Sequence, residues 1–523
     1  MTCRPPDRVC WLAAVASALL LCGCQAATPA DPAVLTVGIR TAPNTLDPRQ
    51  GGDAVSQRVS ELIFSPLMVI GPDLRATPHL AERLDNPDPL TYVAHLRHGV
   101  RFHDGRALTA ADVVYTFSAF LDPAFVSPLK GAYSVLASVT ATDDFTVVFR
   151  LREPFAAFPI QLVLPPIVPA ASGDAMRTHP IGTGPYRFVE YAADDHVRLA
   201  AFDEYFGGRP ANAGLVLKVV PDDTMLGLEL RRGSVDLVVN DLLPDIVHQL
   251  RRDPALQAQT APGVDFAYVG FNLRDPILRD RRVRRAIGYA IDRQAIVDYL
   301  RRGLGRLATG LIPSQAPVFA ADVVQFTHDP GRAMALLDEA GYRDPDGPGP
   351  RPRFHLSLST SAAEEARLQC AIIQEHLRRV GIEVEVRSSE FAAFYQDVIQ
   401  GRFQLFTLQW VGGALVDPDI LRRVYHSRQT PPDGFNRGFY ANPEVDRLLD
   451  EASTAANEND RRRAYTAVQR LVANDAVYIP IWNKTNVIVA RRGLTGLALG
   501  PLGEYLPLRE VARTTATATT STR

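Results

Sequence analysis

The chain predicts an α/β fold, and three stretches carry that expectation. Phe354, Leu356 and Leu358 alternate along one strand, residues 363–380 repeat with helical period up to Gly381, and Ile382, Val384 and Val386 alternate again. Strand, helix, strand at this spacing is a crossover unit, and a crossover joins parallel strands. The segment Phe403-Gln-Leu-Phe-Thr-Leu-Gln-Trp410 has apolar residues on both faces, the pattern of a strand covered from both sides. With a leader set aside, about 500 residues remain, enough for three domain-sized lobes.

The leader comes first in chain order. Arg4 and Arg8 give a short positive start, and Val9 to Leu21 is an uncharged apolar run too short to span a bilayer as a helix. It stops at Leu21-Cys22-Gly23-Cys24, which resembles the lipobox of bacterial lipoproteins, whose cysteine is diacylated before the signal is removed. Residues 1–23 are therefore expected to be a signal peptide and Cys24 the lipidated residue. Cys22 is disfavoured because Leu21, not a small residue, would precede its cleavage site. Two or three acyl chains give stable anchoring, so the body is expected outside the cytoplasmic membrane and tethered to a bilayer surface. The competing reading is an ordinary secretory signal with an incidental cysteine.

Residues 34–40 (Val-Leu-Thr-Val-Gly-Ile-Arg) predict the first strand, and the turn-rich 41–48 a loop. Tyr92, Ala94 and Leu96 alternate, with Asp104-Gly105 marking a tight turn, and residues 109–121 predict a helix with Thr109 at its N-cap. Helices are expected at 282–302, 330–340, 443–456 and 460–473, with Asp329-Pro330 and Asn442-Pro443 supplying the cap and first residue of two of them. No run after the leader approaches 18 apolar residues, and the Thr- and Ala-rich end at 512–523 predicts disorder.

Composition narrows the function. Apolar residues at 46% and charged residues at 22% describe an ordinary globular body, and a net charge of −2 gives no reason to expect nucleic acid. Of the five cysteines, three leave with the leader and Cys24 is acylated, so Cys370 has no disulfide partner. It lies on the apolar helix face Cys370, Ile373, Leu377, Val380 and is expected in the core. None of the 11 histidines forms a metal-spaced pair on a helix. Ser127-Pro-Leu-Lys130 fits the Ser-x-x-Lys of serine β-lactamases, but no Lys-Thr-Gly accompanies it and Pro128 with Gly131 suits a loop. A serine hydrolase is the enzymatic alternative, and the chain is expected not to be an enzyme.

Several segments then resemble, in order, the family 5 extracellular solute-binding proteins, the dipeptide-, oligopeptide- and nickel-binding components of ABC importers. They are Leu96-Arg-His-Gly-Val-Arg-Phe-His-Asp-Gly105 with Leu108-Thr-Ala-Ala-Asp-Val-Val114, and Pro180-Ile-Gly-Thr-Gly-Pro-Tyr186. They continue with Asp280-Arg-Arg-Val-Arg-Arg-Ala-Ile-Gly-Tyr-Ala-Ile-Asp-Arg293, Leu337-Asp-Glu-Ala-Gly-Tyr342, and Trp410 with Asp417-Pro418. The resemblance implies a periplasmic-binding-protein type II-like fold of two α/β lobes, a hinge and an extra domain. Lobe I would take 34–75, 181–270 and 480–511, the extra domain 76–180, and lobe II 271–479. It implies reversible capture of a peptide-like or other small polar solute by closing lobes, without a cofactor, and delivery to ABC permease subunits by a monomer. A sensor or chaperone built on the same body is the other reading.

Within that frame Trp410, at the end of a central strand, is expected to wall the ligand cleft. In peptide-binding members an aspartate three residues after this tryptophan pairs with the peptide ammonium; here that residue is Gly413. Unless Asp417 or Asp419 takes over, a free peptide N-terminus is not expected to be held in that way, because a buried ammonium without a countercharge is costly. Further candidate wall residues are Asn44, Tyr268, Asn272, Asn436 and Tyr440. The arginines at 279, 281, 282, 284 and 285 are expected to form a solvated helix start, Gly182-Thr-Gly184 a tight turn, and His103-Asp104 a structural hairpin.

Overall fold

The computed structural model describes residues 33–347, 349–412, 416–431, 434–455 and 457–514; the leader, Cys24 and Gly413 lie outside the described residues. Two long strands, Leu256–Phe271 and Tyr478–Arg491, pair antiparallel and tie together an eleven-stranded sheet. Their pairing slips between Pro262 and Phe266. The sequence supplies the reason: Pro262 has no N–H for the ladder, and Gly263 has no side chain to pack there.

On one side of the slip lie the parallel strands Val34–Ile39, Gly214–Val219 and Leu237–Val239, extended by the antiparallel pair His196–Ala201 and Tyr186–Ala192. On the other lie Phe354–Ser361, Ile382–Ser389 and Leu405–Trp410, all parallel. The crossover unit and central strand expected from the sequence are therefore present, joined by the helix Glu364–Arg378, with Gly381 at φ +84° closing the turn after it. Helices cover both faces of this half, each over its own apolar cluster. Cys370 is fully buried, its thiol against Thr407 Oγ1 at 3.3 Å, and burial pushes its pKa up.

One helix differs from expectation. The stretch 282–302 is broken: Arg281–Ala290 ends at Ile291, and a new turn starts behind Asp292, whose carboxylate accepts the Ala295 N–H at 2.9 Å. An aspartate offering its side chain to the backbone favours a cap over continued helix. Arg284 departs too from a wholly solvated helix start. It is buried and donates to the carbonyls of Ala476, Leu278, Arg279 and Asp475 at 3.1, 2.8, 2.9 and 2.6 Å.

A separate four-stranded antiparallel sheet, ordered Ala81–Asp88, Thr91–Leu96, Thr146–Leu151, Leu136–Asp143, packs on the helix Ala110–Leu121 around its own core. Asp112 accepts the Thr109 N–H at 2.9 Å, completing the expected N-terminal cap. His103 reaches out of this unit, its Nε2 at 3.0 Å from Gly184 O, while Nδ1 accepts the Gly182 N–H at 3.3 Å. Residues 182–184 are held against Ile63, where a Cβ on either glycine would meet its carbonyl within 2.7 Å. The hairpin tip Leu74 is buried in the cluster under Leu405–Trp410, and Arg75 pairs with Glu458 at 2.5 Å.

Candidate functional site

The carboxyl ends of both sets of parallel strands converge on the slip between the long strands. Val239 pairs with Ile488 close to the crossing, and Trp410 pairs with Phe266 on its other side. In α/β sheets, ligands sit beyond the carboxyl ends of parallel strands, so this junction is the candidate cleft.

Its floor is charged. Asp265 accepts the Gly412 N–H at 3.0 Å and faces the Lys484 ammonium at 3.7 Å. Burial lowers the Lys484 pKa, and Asp265 opposes that. Asp241 accepts the Arg40 N–H at 3.2 Å and lies 3.9 Å from Arg58. Asn240 binds Asn486 at 3.2 Å, and Asn486 in turn donates to the carbonyls of Gly500 and Pro501.

The wall is aromatic around one cation. Trp410 is 8% exposed, and its Nε1–H is buried with no hydrogen-bond partner among the described residues. Arg437, 4% exposed, places its guanidinium 4.7 Å from the Trp410 ring, 5.2 Å from Phe435 and 5.4 Å from Tyr395. It donates to Tyr268 Oη at 3.3 Å and to Tyr395 Oη at 2.9 Å. Burial raises the Tyr268 phenol above its usual range and the guanidinium opposes that shift. Phe391 is exposed and stacks on Tyr395 at 5.8 Å.

Of the side chains expected to wall the cleft, Trp410 and Tyr268 come together through Arg437. Asp417 lies in the same half but is engaged, at 3.0 Å from Arg461; Asp419 accepts from Tyr465 Oη at 3.3 Å. Burial pushes the Asp417 pKa up, with Arg461 opposing. Asn272 sits at the opposite end of the strand from Trp410, donating to Gly401 O and Phe403 O. Asn436 uses its amide on His426 O, Tyr440 O and the Tyr440 N–H, and Tyr440 Oη donates to Asp475 at 2.7 Å. Asn44 is exposed on the other half, bound to Asp53 and Ser56. These residues hold loops together and leave little free to meet a solute.

Sequence reasoning missed Arg437 and Asp265. Arg437 stands beside Asn436 between Phe435 and Phe439, a spacing that does not mark a cation as unpaired. Asp265 carries no local signal, since only the pairing slip brings it to the floor. The Ser-x-x-Lys pair is not assembled: Ser127 Oγ donates to Arg49 O at 2.6 Å, and Lys130 Nζ binds the carbonyls of Asp122 and Phe125.

Comparison with known proteins matches this architecture. The model of bacterial extracellular solute-binding proteins, family 5 middle, matches residues 75–432. The chain is similar to the oligopeptide-binding protein AppA of Bacillus subtilis, at 27% identity over 500 residues covering 91% of each chain. It is 31% identical to Protein XP55 of Streptomyces lividans over 462 residues, 85% of this chain and 82% of that one. Its backbone is similar to that of the ABC transporter substrate-binding protein CtaP of Listeria monocytogenes, with a TM-score of 0.82, 25% identity, and coverage of 92% and 99%. No helix among the described residues is long and apolar enough to cross a membrane. A continuous sheet crossed twice, with both sets of strand ends facing the crossing, agrees with these matches: the chain belongs to the bacterial extracellular solute-binding proteins of family 5, the substrate-binding components of ABC importers.

Proposed function

We propose that this chain is a lipid-anchored receptor that closes on one peptide-like or other small polar solute and releases it, chemically unchanged, to permease subunits. The observation that carries the reading is the convergence of two sets of strand ends on the pairing slip at Pro262–Phe266. Two strands crossing between lobes form a hinge, and a solute touching both lobes stabilises the closed form. Lobe I takes 34–75, 181–270 and 480–511, the extra domain 76–180, and lobe II 271–479. Trp410 of lobe II and Tyr268 of the crossing strand wall the cleft together, while Asp265 and Lys484 lie at the hinge. The relatives' names include binders of oligopeptide, heme and glutathione, which supports capture of a peptide-like or other small solute.

The signal peptide 1–23 and acylated Cys24 keep the monomeric receptor tethered to a bilayer surface outside the cytoplasmic membrane, facing periplasm or cell exterior and close to its permease. Native mass spectrometry of the purified chain tests capture: one bound solute per chain is expected, with a smaller radius of gyration in solution scattering than after the solute is stripped. Recovery of only ligand-free chain of unchanged size, from cells and after exposure to medium extract, would overturn the reading. Fractionation tests the anchor: Cys24→Ala is expected to move the chain from the membrane pellet to the soluble fraction.

A further inference from the structure

Among the described residues lobe II holds four buried arginines, and they are satisfied differently; Arg301 pairs with Glu365. Arg284 and Arg293 each donate to three or more backbone carbonyls. Arg437 has only the hydroxyls of Tyr268 and Tyr395, and no carboxylate pairs with it among the described residues. A guanidinium carries five N–H donors and no acceptor, so most of its donors are unused. Aromatic faces offset part of the charge. They do not supply an acceptor, and a buried cation without a counterion is costly.

A free polar group in the same wall is also a donor. Trp410 Nε1–H has no partner, and the indole ring lies 4.7 Å from the guanidinium. Two unsatisfied donors side by side, one of them a cation, select an acceptor of negative charge. The neighbouring acids are already paired, Asp265 with Lys484 and Asp417 with Arg461. We infer that the captured solute carries a carboxylate and that this group binds Arg437, with Trp410 Nε1–H as a second donor. The planar fork of arginine fits a carboxylate through two parallel hydrogen bonds. An ammonium at the same place would meet a like charge. The inference rests on the solute-receptor reading and specifies what that receptor selects.

The test uses the full chain in detergent and, as probe, the low-molecular-mass extract of spent growth medium. Half of the extract is treated with carbodiimide and ammonium, which converts carboxylates to neutral amides. Bound solutes are read by native mass spectrometry. The wild-type chain is expected to retain solute from the untreated extract and about tenfold less or lower from the amidated one, the loss expected for a charge-assisted hydrogen bond. Arg437→Met is expected to bind the same solute about ten- to a hundredfold more weakly. Trp410→Phe keeps the ring, loses only the orphan N–H, and is expected to weaken binding several-fold; it decides the matter if Arg437→Met does not fold. Equal retention from both extracts, or wild-type affinity in the folded variants, overturns the carboxylate and leaves the receptor standing. Retention of nothing from either extract overturns both.

Discussion

The strand Leu405–Trp410 has two ends that treat polar groups in opposite ways. At the Leu405 end, Gln404 accepts the Ser357 N–H at 2.8 Å and donates to Asp275 at 3.0 Å. Close by, Asn272 is bound to two carbonyls, Tyr440 to Asp475, and Arg284 to four carbonyls. At the Trp410 end, an indole N–H has no partner and a buried guanidinium has two phenols and no acid. Both ends are buried, so exposure does not separate them. The difference is satisfaction. Polar groups that hold a fold find their partners within it, because a buried orphan costs about 1–3 kcal/mol. Groups left over at one end of a strand are the ones a ligand completes.

The largest expected effect falls at the satisfied end. Arg284→Met strands four carbonyls, and unfolding in urea is expected to show a loss of at least about 3 kcal/mol with unchanged slope. Arg437→Met, made in the ligand-free chain, is expected to cost less than about 1 kcal/mol, since it removes a cation that lacks a counterion. Equal losses for the two variants would break the comparison.

A slightly smaller effect is expected at the joint between the four-stranded unit and lobe I, where the partners are complete in only one protonation state. His103 bridges Gly182 and Gly184, and burial pushes its pKa down to about 4. The unfolded chain, with the ordinary value near 6.5, binds the proton more readily, so stability falls as pH drops from about 6.5 to 4, by up to about 3 kcal/mol. Glu61, pushed up to about 8 by burial and by Glu504, acts with the opposite sign, adding stability as pH falls from about 8 to 4.5. The measurement is therefore the difference in urea midpoint between wild type and His103→Asn across pH. A flat difference would show that His103 takes up its proton without leaving the joint. Next in size, Tyr440→Phe removes the 2.7 Å bond to Asp475 and is expected to cost about 1–2 kcal/mol with solute retention unchanged.

The same contrast explains what was legible in the sequence. Alternation and helical period reported the crossover at 354–389 and the strand ending at Trp410, because burial of one face or of both is written into neighbouring residues. Asp329 and Asn442 likewise mark their helix starts by local chemistry. The break at Asp292 was missed because an aspartate caps a turn or sits solvated on a helix with the same neighbours in sequence. Asn272, Asn436 and Tyr440 carry side chains suited to a cleft, but their partners are carbonyls and an acid that folding alone brings close. Arg437 was passed over for the converse reason. Its distinction is the lack of a partner, a property of the whole surroundings that no spacing encodes.

The smallest expected effect is the sharpest test of this reasoning. Trp410→Phe keeps an aromatic ring against Phe435 and the Arg437 guanidinium and removes one N–H that binds nothing among the described residues. If that N–H is unsatisfied in the ligand-free protein, its removal discards a buried orphan, which offsets the smaller ring's loss of packing. The net change in unfolding free energy is then expected within about 0.5 kcal/mol of zero. A loss above about 1.5 kcal/mol, as for a hydrogen-bonded indole, would mean that the Trp410 end is as complete as the Leu405 end. Near-neutral stability together with weakened solute retention is the signature of a donor held in reserve for a solute.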